Sequence, residues 1–75
     1  MKEMQLTAEV TGLVVKISAS PGSIVAADET LLVLESMKME IPMTAPVAGW
    51  VKEFLVTEGD TVEEGQVLAL FIFAP

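Results

Sequence analysis

The chain is written twice. Set against the residue 37 positions further on, Glu3 meets Glu40, Thr7-Ala8 meet Thr44-Ala45, Val10 meets Val47, Gly12 meets Gly49 and Val14 meets Val51. In the same register Gly22 meets Gly59, Val25 meets Val62 and Leu31 meets Leu68, giving nine identities across residues 3–34 without a gap. Similar pairs extend the match: Ile17 with Phe54, Ser20 with Thr57, Val33 with Leu70 and Leu34 with Phe71. A composition rich in Val, Leu and Ala inflates such matches, but the glycines punctuate both halves at the same places. Two copies of a supersecondary unit are too few for a solenoid. They suffice for two sheets related by approximate two-fold symmetry.

Each half reads as strand. "GLVVKISA" (12–19) and "GWVKEFLV" (49–56) are rich in β-branched and aromatic residues. "SPGS" (20–23) and "TEGD" (57–60) follow as turns, with Gly22 and Gly59 supplying a positive φ. "TLLVLES" (30–36) and "QVLALFI" (66–72) are apolar strands, preceded by the polar links "AADE" (26–29) and "EEGQ" (63–66). Pro21, Pro42 and Pro46 oppose helix; the one helical alternative is a single turn within 60–65. The expected fold is all-β: seven or eight short strands in a flattened barrel or sandwich, one domain over residues 1–75.

Composition narrows the chemistry. The chain has 75 residues, 52% of them hydrophobic, with no cysteine, histidine, arginine or tyrosine. So short a chain has a small core and no disulfide to supplement it. Nucleophilic triads and the usual zinc ligand sets are excluded, and there is no guanidinium fork for phosphate or carboxylate. No catalytic and no metal-ligating residues are assigned, and an independent enzyme is not expected. The net charge of −7 opposes nucleic acid and anionic membrane as partners and favours solubility. The apolar run Val67–Ala74 is too short to span a bilayer, and Met1 to Thr11 shows no signal pattern, which is compatible with the cytoplasm.

One stretch is not explained by strands and turns. "ESMKMEI" (35–41) lies at the junction of the two copies and holds Lys38, one of four lysines, between Met37 and Met39. "LLVLES" and "MEIPMTA" flank it as strands, which makes Met37-Lys38 a hairpin tip. Neither residue is a preferred tight-turn type. Methionine is ordinarily core filler, and an exposed lysine is ordinarily a solvated turn residue. Core contacts are scarce at a hairpin tip, however, so methionines there read as a recognition surface. A nucleophilic lysine needs burial or a neighbouring cation. The sequence neighbours of Lys38 are instead the carboxylates Glu35 and Glu40. Acylating such a lysine would require an activated acyl donor and another enzyme, so if Lys38 is more than a solvated turn residue it is a lysine that is acted upon.

Glu35-Ser36-Met37-Lys38-Met39-Glu40 resembles the attachment motif of biotinyl, or biotin carboxyl carrier, domains, commonly (A/S)MKM. The resemblance covers nearly the whole chain, including "TAPVAGWV" (44–51), "EGDTVEEGQVLAL" (58–70) and the two-fold repeat with the lysine between its halves. It implies a flattened β-barrel of two four-stranded sheets (a barrel-sandwich hybrid). It implies that Lys38 is amide-linked to biotin by a biotin protein ligase, with Met37 and Met39 as the residues the ligase recognises. It further implies a carrier of a biotin-dependent carboxylase, shuttling carboxybiotin from a biotin carboxylase to a carboxyltransferase and monomeric in isolation. Ser36 stands where many members have alanine, "AEVTG" (8–12) lacks a proline common in that turn, and no inserted thumb loop or Ala/Pro-rich linker is present. The alternative is a lipoyl-type attachment domain of a 2-oxoacid dehydrogenase or similar system. Its lysine usually has Asp before it and Ala after it. An unmodified lipoyl-like module of an efflux adaptor would require long flanking helices and gives no reason for Met-Lys-Met.

Overall fold

The computed structural model describes all residues, 1–75. It contains eight strands and no helix: β1 (Lys2–Thr7), β2 (Gly12–Ile17), β3 (Ile24–Val25), β4 (Thr30–Ser36), β5 (Met39–Thr44), β6 (Gly49–Phe54), β7 (Thr61–Val62) and β8 (Val67–Phe73). The repeat is reproduced strand for strand, since the bounds of β1–β4 shifted by 37 positions are those of β5–β8. Two four-stranded antiparallel sheets result, in the orders β1-β8-β6-β3 and β5-β4-β2-β7. Exchanging the two copies converts one order into the other. The sheets face each other as a flattened barrel-sandwich rather than closing into one continuous ladder. Residues 60–65 hold β7 and a turn, not a helical turn, because Thr61 and Val62 pair with Leu13 and Gly12.

Symmetry extends to single hydrogen bonds. Ala8 N–H donates to the Gln66 carbonyl and Gly65 N–H to the Ala8 carbonyl; Ala45 N–H donates to Glu29 and Asp28 N–H to Ala45 in the same pattern. The ladders slip at equivalent points, between Val14 and Lys16 in the first copy and Val51 and Glu53 in the second. Such bulges bend the strands and raise their twist. The core divides likewise. Ala8, Val14, Leu32, Leu34, Val62 and Leu68 lie in one cluster, and their counterparts Ala45, Val51, Ala69, Phe71, Val25 and Leu31 make up the other.

The turns show why glycine recurs. Ser23 N–H donates to the Ser20 carbonyl and Asp60 N–H to the Thr57 carbonyl, each at 3.1 Å, with Gly22 and Gly59 third in their turns at φ +86° and +97°. Asp28 takes the same left-handed conformation (φ 69°) where the second copy has Gly65. A Cβ at Gly59 would meet nothing within 4 Å, so the cost of substitution there comes from the positive φ. Gly59→Val is therefore expected to lower stability by about 1–3 kcal/mol, measured by urea unfolding. An unchanged midpoint would show that the turn tolerates a branched residue.

Gly12 and Gly49 serve a different purpose. A Cβ on Gly12 would overlap the carbonyl oxygen of Glu35, and one on Gly49 the carbonyl oxygen of Ile72. These two glycines let β2 and β6 lie close against the ends of β4 and β8. Gly12 thus fixes the strand that leads to Lys38.

Candidate functional site at the β4–β5 hairpin

Following the chain from β1 to β8, every connection crosses from one sheet to the other except that between β4 and β5. These two strands form the fold's single hairpin. Its two-fold counterpart is the pairing of β8 with β1, where no covalent link exists because the termini lie there. Met37 and Lys38 thus occupy a position unique in the molecule, equivalent to Ala74 and Pro75 in the second copy.

The hairpin is anchored from below. Leu34 faces Ile41 and Leu32 faces Met43 across the ladder, with Leu34, Leu32 and Met43 buried and Ile41 packed against them. Pro42 lies on β5, an edge strand, where a missing N–H is tolerated and further strand pairing is blocked. Glu35 faces Glu40, and Ser36 faces Met39, closing a two-residue loop. Like charges directly opposite one another destabilise a ladder, so Glu35 and Glu40 add nothing to the hairpin's stability.

The loop is strained. Met37 has φ 52° and Lys38 φ 66°. Positive φ at both central residues is the type I′ geometry that matches strand twist and normally selects Asn-Gly. Side chains with a Cβ in the left-handed region cost roughly 1–2 kcal/mol each. The hairpin therefore holds two poor turn residues where Asn-Gly would be more stable. Its side chains are turned out to solvent: Met37 is 92% exposed and Met39 66%, against 8% for Met43. The Lys38 ammonium makes no hydrogen bond or ion pair; the one salt bridge in the molecule joins Lys52 to Glu3 at 3.1 Å.

All three candidate residues, Met37, Lys38 and Met39, are thus brought together at one tip. Sequence reasoning missed Gly12, whose lack of a side chain lets β2 support the hairpin. Its pairing with Gly49 in the repeat was the available signal. A crevice of about 200 Å³ opens between the sheets, lined by residues that include Leu6, Leu31, Met43, Phe54 and Leu68. None of residues 35–40 lines it, so Lys38 stands outside any cleft. No group of three or more His, Cys, Asp or Glu side chains is arranged to hold a metal, and no helix is long and apolar enough to cross a membrane.

Residues 5–71 match the model of a family described as "Biotin-requiring enzyme", the biotin/lipoyl attachment domains. The chain belongs to the biotin/lipoyl attachment family. Over 63 residues it is 40% identical to the biotinylated protein TB7.3 homolog of Mycobacterium leprae, covering 84% of this chain and 89% of that one. It is 43% identical over 63 residues to the mitochondrial propionyl-CoA carboxylase alpha chain of Homo sapiens, covering 84% of this chain but 9% of that protein. Among solved structures, a single-chain, multi-domain long-chain acyl-CoA carboxylase matches with a TM-score of 0.90 at 36% identity, over 97% of this chain and 7% of that one. The lipoyl domain of the Azotobacter vinelandii 2-oxoglutarate dehydrogenase complex matches with a TM-score of 0.75 at 29% identity, over 88% and 84% of the two chains.

Proposed function

We propose that Lys38 is the biotin attachment site of a carrier domain serving a biotin-dependent carboxylase. The observation that carries this reading is the strained hairpin tip. It presents an unpaired lysine between two exposed methionines, in a chain of the biotin/lipoyl attachment family. The residues fit the group, because the Lys38 amine is free of partners and acylation there displaces no packed atom. Biotin, once amide-linked, supplies the site that accepts and releases a carboxyl group. The chain's own residues present it. β4 and β5 hold the tip on buried Leu32 and Leu34, and the left-handed turn directs Lys38 away from the sheets. Tethering replaces diffusion of a free cofactor with a high local concentration at each partner's active site.

The partners in this reading are a biotin protein ligase, a biotin carboxylase and a carboxyltransferase, which hold the catalytic groups this chain lacks. We assign the domain to the subunit of a multicomponent carboxylase, monomeric in isolation and loaded in the cytoplasm. Met37 and Met39 are the surface the ligase reads, since flexible, polarisable thioethers adapt to a partner's apolar pocket.

Purified chain incubated with biotin protein ligase, biotin and ATP tests the reading by streptavidin capture. Capture of the wild-type chain supports it, and none in the presence of a functioning control carrier overturns it. In the same assay Met39→Ala is expected to slow loading by about tenfold, as loss of a partly desolvated side-chain contact does. Its thermal stability is expected to move by under about 0.5 kcal/mol, since Met39 is an exposed surface residue. Equal loading rates would make Met39 a spacer.

A further inference from the structure

We propose that Met37 and Met39 form an oxidation site through which peroxide blocks loading of Lys38. This rests on the reading of the hairpin tip as the surface a ligase recognises. The five methionines are sharply graded in exposure: Met37 and Met39 are 92% and 66% exposed, while Met43 is 8% exposed in the core and Met4 is half-buried. Met1, at 73%, is exposed too, but it lies at the terminus, away from the hairpin. A peroxide therefore reaches both sulfurs flanking the lysine while the core sulfur is shielded.

The chemistry is a two-electron oxidation. The thioether sulfur attacks one oxygen of hydrogen peroxide, an S–O bond forms as the O–O bond breaks, and the proton on the transferred oxygen passes to the departing hydroxide, which leaves as water. Methionine sulfoxide reductases reverse it with a dithiol, which is oxidised to a disulfide as the oxygen departs as water. The product is a polar, chiral sulfoxide in place of a flexible apolar side chain. At Met37 and Met39 that change leaves the fold alone, because neither side chain belongs to either core cluster. It does alter the face presented to a partner, where an apolar pocket meets an acceptor oxygen it cannot pair. There is no cysteine in the chain to intercept the oxidant first.

The test treats the purified, unloaded chain with hydrogen peroxide, quenches it, maps sulfoxide by peptide mass and measures loading by biotin protein ligase. The expected result is oxidation at Met37 and Met39 well ahead of Met43, an unchanged melting temperature, and loading slowed by about tenfold or more. Sulfoxide reductases with a dithiol are expected to restore the rate. A chain with both Met37→Leu and Met39→Leu, which keeps Met1, Met4 and Met43, must load at its own rate with and without peroxide. If the untreated chain loads and the oxidised chain loads equally fast, this proposal alone is overturned. Oxidation of Met43 as fast as the tip methionines overturns it too, as does peroxide sensitivity in the double variant. If the untreated chain takes no biotin from an active ligase, the carrier reading fails and this proposal falls with it.

Discussion

Lys38→Arg is expected to give a folded domain that takes up no biotin. The substitution keeps the positive charge and the long stem, so the exposed tip is electrostatically unchanged. Arginine stays protonated at any accessible pH, and its guanidinium is no acceptor for an activated acyl group. Lys38 makes no ion pair or hydrogen bond, and exposed positions without such partners usually change stability by less than about 0.5 kcal/mol. Loading should therefore fall from complete to undetectable while the thermal midpoint stays in place. Intact mass and thermal unfolding of the same preparation check both halves. Biotin on Lys2, Lys16 or Lys52 of the variant would remove Lys38 from the account. A large drop in the midpoint would mean that the hairpin depends on this lysine structurally.

The second large effect concerns the scaffold. Gly49→Ala is expected to cost about 3 kcal/mol, at the upper end for overpacking. The added methyl would overlap the Ile72 carbonyl oxygen and lie 2.9 Å from the Phe71 ring. Both neighbours are held in place: Phe71 is fully buried, and Ile72 is paired with Trp50. For a domain of this size such a loss lowers the melting temperature by roughly 12–24 °C. Gly22→Ala is the contrast, because a Cβ there meets nothing within 4 Å and only the positive φ is penalised. Its cost is about 1 kcal/mol. Similar midpoints for the two variants would mean that close strand approach at Gly49 does not limit packing.

Much of this architecture can be read from the repeat. The pairs Val14–Val51, Val25–Val62 and Leu31–Leu68 are buried in both copies, so an identity seen in sequence became a two-fold pair in the core. The hairpin at Met37-Lys38 follows from the same register, because it lies where one copy ends and the next begins. Eight strands are expected, but no stretch of the sequence marks where β3 and β7 lie. A two-residue strand has no period to detect, and their pairing depends on β6 and β2, distant in sequence. Strand ends were also overrun: 12–19 and 49–56 read as continuous strand, but β2 and β6 stop at Ile17 and Phe54. There Ser18 and Leu55 donate to the carbonyls of Leu31 and Leu68 as the chain turns away.

At the site, residue type pointed to modification but not to strain. Met and Lys are poor type I′ residues, and the sequence shows only that the turn is unusual. The structure shows that both nonetheless adopt positive φ. Local stability is given up where the hairpin presents its lysine, as functional positions often require. The role of Gly12 was hidden for a similar reason. A glycine needed for close approach looks the same in sequence as one needed for a turn, and only the neighbouring Glu35 carbonyl separates the two cases.

The measurement that bears most directly on the central claim is the intact mass of the wild-type chain co-expressed with a biotin protein ligase, followed by peptide mapping. One biotin per chain, as an amide on Lys38 within the peptide that holds Met37 and Met39, is the result the account predicts. An unmodified mass beside a fully loaded control carrier would contradict it, as would biotin on any other lysine. A lipoyl group on Lys38, formed when a lipoylating enzyme is supplied instead, would keep the attachment site and move the domain to a different carrier system.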